Sequence, residues 1–250
     1  MVKISSLVIV GITILGLYFI GMSRIADQLT SSRQRKHLAR FVLGLVVTMV
    51  TFIPSPDLFG PDYRFTVNMA QMLLAFDLGP LLLFSGIPEL MLDPLRAKKG
   101  LTRALSNPFG VGIVSTFILL VWFAPAPFEA ASQNLTLWII KQILFLIAGL
   151  LLWLPVASPV TDWKPTYPIQ LLYLFIMRLP MTVLGIMFTF ADSLIYTARS
   201  FSLEICAPSS ISDQQMGGLV IWTVGGLVMF AVVAFVFFRW FNVAENAEVQ

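Results

Sequence analysis

Seven stretches of the chain run apolar with hardly a charge among them: residues 4–21, 39–53, 66–84, 108–124, 135–156, 169–190 and 217–241. Polar or proline-containing segments separate them. A helix crossing about 30 Å of hydrocarbon at about 1.5 Å per residue needs roughly 20 apolar residues. The pattern therefore predicts an all-α integral membrane protein, one transmembrane domain over residues 1–250 built as a bundle of about seven transmembrane helices. The second stretch is the shortest and ends at Pro54. The first follows Lys3, and no small-x-small cleavage site precedes the next loop, so it is expected to stay as an uncleaved helix.

The polar segments between the stretches predict an orientation. Arg24, Arg33, Arg35, Lys36 and Arg40 follow the first stretch, and Arg96, Lys98, Lys99 and Arg103 follow the third. Lys and Arg in short loops mark the cytoplasmic side. The segments after the second and fourth stretches carry Asp57, Asp62 and Glu129, with Arg64 as their one basic residue. The alternation predicts N-out/C-in.

Composition adds exclusions. Hydrophobic residues make up 58% of the chain and charged residues 12%, against roughly 25% charged in soluble domains. A soluble fold of this size has too little interior to hide so much apolar side chain, so membrane lipid is the partner to expect. The net charge of +3 comes from topogenic loops and does not point to nucleic acid. One cysteine, Cys206, excludes an internal disulfide, and one histidine, His37, excludes a multi-histidine metal site within the chain. No nucleophile–base pair or phosphate-binding glycine loop points to an enzyme.

Ionisable residues inside a span usually face the bundle interior. Asp77, Lys141 and Arg178 stand out here. Asp77 and Arg178 fall at similar depth, each roughly 9 to 11 residues from a membrane surface, or about 16 Å at helical rise, which permits an ion pair. Lys141 lies about two turns from the outer surface, where a long side chain can snorkel. Other polar residues collect at that same outer end: Asn68 and Gln71, Gln142, and Asp213, Gln214 and Gln215 ahead of the last helix. Met69, Met72, Met216 and Cys206 overlap this set. Thioether and thiolate ligands suit Cu(I), although Met also fills apolar interiors. Gly217-Gly218 and Gly225-Gly226 are expected to let a neighbouring helix approach closely.

The run Ser212-Asp213-Gln214-Gln215-Met216-Gly217-Gly218-Leu219-Val220-Ile221-Trp222 resembles the final-helix signature of the CtaG family of cytochrome c oxidase assembly proteins. Asn68-Met69-Ala70-Gln71-Met72, followed by Gly79-Pro80 and Gly86-Ile87-Pro88, resembles that family's third-helix motif, and Gly149 to Trp153 with Pro155 a later helix. The resemblance runs from about Phe65 to Phe230. It implies a multi-helix membrane protein linked to copper insertion into haem-copper oxidases, with a site at the extracytoplasmic face. The histidines that the family offers a metal are replaced here by Asn68, Met72, Phe123, Trp138 and Gln142, while Asp213, Gln214, Gln215, Gly217 and Gly218 are kept. Phe and Trp cannot act as copper ligands, so a family-type copper centre is not expected.

The resemblance thus implies a divergent factor supporting biogenesis of a haem-copper oxidase, placed in the bacterial inner (plasma) membrane with subunits of an oxidase or respiratory complex as partners. The alternative is a non-catalytic accessory subunit of such a complex. A transporter using Asp77 and Arg178 ranks below both, since no inverted repeat or pair of broken helices is visible.

Overall fold

The computed structural model describes residues 4–54, 61–196 and 208–248, and these are helical with no strand among them. The long helices are α1 (Ile4–Ser23), α2 (Ser31–Val50), α3 (Arg64–Gly86), α4 (Pro108–Phe123), α5 (Pro125–Gln133), α6 (Leu135–Ala157), α7 (Tyr167–Thr189) and α8 (Ile211–Glu248). Four of them, α3, α6, α7 and α8, are long and apolar enough to cross a membrane, and α4 with α5 adds a fifth if the bent pair is one span. The chain is an integral membrane protein. Its apolar part of α1, Leu7–Ser23, is shorter. Helix α2 starts eight residues before the apolar stretch that predicts it, so its first turns carry Arg33, Arg35 and Lys36.

Local chemistry explains the boundaries. Pro108, Pro125 and Pro168 lie in the first turns of α4, α5 and α7, where the missing N–H costs nothing. The side chain of Asn107 accepts from Gly110 N, and that of Asn134 accepts from Thr136 and Leu137 N, so both residues cap helix starts. The segment Pro125–Asn134, expected as a loop, is instead mostly the helix α5, bent 66° from α4. Ala124, extended ahead of Pro125, forces the break.

Helices α3 and α8 each contain one π-helical turn, Leu74–Leu78 and Val220–Val224. These turns free carbonyls that distant side chains satisfy. Trp153 Nε1 donates to Phe76 O at 3.0 Å and Arg178 Nη2 to Ile221 O at 3.1 Å. Gly149 lets α6 close on this part of α3, because a Cβ there would collide with the Phe76 backbone. The main core is aromatic-rich, while α1 joins α2 through a smaller cluster in which Tyr18 stacks on Phe41 at 4.0 Å and donates to Gly86 O.

Candidate functional site

At the end of the bundle where α3, α6 and α8 begin or approach one another, polar side chains are buried together. Asn68, Gln71, Gln142, Asp213 and Gln214 are each at most 2% exposed. They divide into two groups with different work.

The first group is architectural. Asp213 Oδ2 accepts from Phe65 N at 3.0 Å and Oδ1 from Thr66 N at 2.9 Å, while Thr66 Oγ1 donates to Oδ1 at 2.7 Å. A carboxylate from α8 thus closes the amino-terminal end of α3, where free N–H groups and the helix dipole favour a negative charge. Asp213 also accepts from Ser209 N, and Ser209 Oγ lies within hydrogen-bond reach of both Asp62 O and the Asp213 carboxylate. Gln214 accepts from Ile195 N at 2.8 Å and donates to Ser193 O, and Gln215 donates to Ala191 O. The Asp-Gln-Gln run therefore ties α8 to α3 and to the segment after α7. Gly217 faces Phe65 and Gly218 faces the Gly185 carbonyl and Phe188. Gly226 differs from the expectation of tight packing: a Cβ there meets nothing within 4 Å.

The second group surrounds Lys141. Its Nζ donates to Asn68 Oδ1 at 3.1 Å and lies 5.3 Å from the centre of the Phe128 ring and 5.9 Å from that of Phe145. At 1% exposure it does not snorkel, correcting the sequence expectation. Helix α5 contributes to this burial, since its buried Phe128 stands over the ammonium. Two aromatic faces and an amide oxygen are favourable surroundings for a desolvated ammonium. Beyond them, Phe123 packs against Phe145 and Phe188, and Tyr196 stacks on Phe128 and donates to Phe123 O. Gln142 donates to Thr51 O at 2.6 Å, and Gln71 donates to Ile53 O at 2.5 Å and to Val50 O. Their Oε1 atoms, Asn68 Nδ2 and Trp138 Nε1 are buried without a hydrogen-bond partner among the described residues.

The structure describes three of the four residues of the sulfur set. Met69 and Met72 are buried, Met216 is 47% exposed, and Cys206 lies outside the described residues. Among the described residues no three of His, Cys, Asp and Glu gather as metal ligands. An ammonium beside Asn68 repels a cation, and Phe123 and Trp138 offer no lone pair. The described residues around Lys141 do not form a copper-ligand set.

Deeper in the bundle, Arg178 Nη1 reaches Asp77 Oδ2 at 3.2 Å, with both side chains almost wholly buried. Sequence depth placed these two level. It gave no sign that they bridge the two π-turns.

These features define an all-helical membrane protein in which a buried polar scaffold at one end of the bundle stands beside a lysine enclosed by aromatic rings. The profile of the cytochrome c oxidase caa3 assembly factor family (Caa3_CtaG) matches residues 16–242, and the chain belongs to that family. Comparison with curated proteins and with solved structures gives no match.

Proposed function

We propose that this chain supports biogenesis of a haem-copper oxidase at the extracytoplasmic face of the bacterial inner membrane, as one domain of seven spans, N-out/C-in, without delivering copper itself. The observation that carries this reading is the split at the outer end. The Asp213–Gln214–Gln215 run, which resembles the family's scaffold, is engaged in hydrogen bonds, whereas Asn68, at a position where the resemblance implies a metal-binding histidine, instead accepts from a Lys141 flanked by Phe128 and Phe145. Such a site holds a shape, and a client membrane subunit is what it would hold. The basic loops after α1 and α3 support the orientation. The role is non-catalytic. Deleting the gene tests it: haem-copper oxidase in the membranes should fall, and added copper should not restore it. Unchanged oxidase would overturn the proposal.

A groove of about 830 Å³ between α7 and α8 favours a second reading, a permanent accessory subunit. Phe175, Leu179, Phe230 and Phe237 line it, with Arg178 on its wall. A partner helix seated there would remain through purification in mild detergent as a stoichiometric complex, whereas an assembly factor would leave its client.

A further inference from the structure

The bundle's other end carries a different chemistry. Where α6 ends and α7 begins, a cleft of about 620 Å³ opens between these helices and α8. Its walls include Leu81, Val156, Val232 and Phe235, and Lys164 and Arg239 line it as well. A second cleft of about 400 Å³ shares Ser85, Ala157 and Lys164 with the first and is lined by Arg33 and His37 from α2. His37 Nδ1 is buried without a hydrogen-bond partner among the described residues.

The cations at this end are not alike. Arg96 is held by Asp162 at 2.6 Å, Glu89 at 3.4 Å and Asp93 at 3.9 Å, so its charge is answered within the chain. Neither Lys164 nor Arg239 makes an ion pair among the described residues. Burial, and then the positive charge of Arg239, push the Lys164 ammonium below the usual lysine range, with Glu89 opposing weakly. Lys164 is part-buried and Arg239 is exposed, its guanidinium 5.8 Å from the centre of the Phe235 ring, so two like charges at the rim of one apolar-walled cleft leave a place for an anion. Topogenic charge alone needs no cleft and no neighbour of the same sign.

We propose that the Lys164–Arg239 cleft binds an anionic phospholipid, its phosphodiester between the two cations and its first chain carbons along Leu81, Val156, Val232 and Phe235. A lipid fits better than free phosphate because the walls are apolar and belong to helices that cross the membrane. Basic clefts between transmembrane helices at the membrane surface suit such headgroups. Under the orientation proposed above, the cleft opens to the cytoplasmic leaflet. The binding chemistry does not depend on that orientation.

The test is native mass spectrometry of the full chain, purified in detergent and offered phosphatidylglycerol, phosphatidylethanolamine or inorganic phosphate. Phosphatidylglycerol should stay bound at least tenfold more than phosphatidylethanolamine, and millimolar inorganic phosphate should not displace it. The K164Q/R239Q double variant should lose that preference, while K164R/R239K and R96Q retain it. Equal retention of the two lipids by the wild-type protein would overturn the proposal, and that comparison stands even if the double variant fails to fold. Displacement by inorganic phosphate would overturn the lipid assignment, and a preference undiminished in a folded double variant would overturn the residue assignment.

Discussion

Arg178 joins two π-helical turns through Asp77: Nη1 reaches the Asp77 carboxylate on α3 at 3.2 Å, and Nη2 takes the Ile221 carbonyl on α8 at 3.1 Å. One guanidinium thus locks the geometry of three helices at mid-bundle. Gly225 leaves room for it, since a Cβ there would overlap the guanidinium.

Removing one member should therefore cost more than removing both. Arg178→Met leaves a buried carboxylate unpaired and is expected to cost about 3–5 kcal/mol. The Asp77→Leu/Arg178→Met pair should recover most of that loss. Thermal unfolding in detergent across the double-mutant cycle measures it, and additive losses would show that the two side chains act separately.

The Asp213 cap gives a second expectation. Asp213→Ala strips the start of α3 of its acceptors and should destabilise by about 2 kcal/mol, the upper range for a lost cap. Asp213→Asn keeps one acceptor oxygen and should lose less. Equal melting temperatures for the wild-type protein and Asp213→Ala would contradict the assignment.

Around Lys141, Asn68→Leu removes a charge-assisted hydrogen bond in a dry site and should cost about 1.5–3 kcal/mol. Cu(I) titration of the wild-type protein should show no stoichiometric binding. Stoichiometric binding abolished by Met69→Leu and Met72→Leu would contradict the reading of this site.

Lys164 makes stability depend on pH. Its folded-state pKa is lowered below the unfolded value of about 10.4. Between those two values the unfolded chain holds a proton that the folded chain has released, so stability rises with pH through that window. In lipid-free detergent the melting temperature should climb more steeply toward about pH 10 for the wild-type protein than for Lys164→Gln. Parallel pH profiles would count against a strained lysine.

Much of the helical plan was legible in the sequence because span length and apolarity are local properties. The structure places helices on all seven apolar stretches. The π-turns were not legible there, because the donors that stabilise them, Trp153 and Arg178, lie far along the chain from the carbonyls they satisfy. Counting depth along α6 placed Lys141 near water. Only the fold shows Phe128 arriving from α5 to shut it in. Met216 follows Asp213 by three residues, yet one faces outward and the other is buried, because the face of α8 is set by its contact with α3.

The central claim is that the polar cluster around Asp213 and Lys141 works as a scaffold and not as a copper site. Complementation of a deletion strain tests it most directly, with haem-copper oxidase activity of the membranes as the readout. The Met69→Leu/Met72→Leu variant conserves volume and should restore oxidase activity to the wild-type level, while Asp213→Ala should not. Failure of the methionine variant to restore activity, with the protein present at normal abundance, would contradict the account.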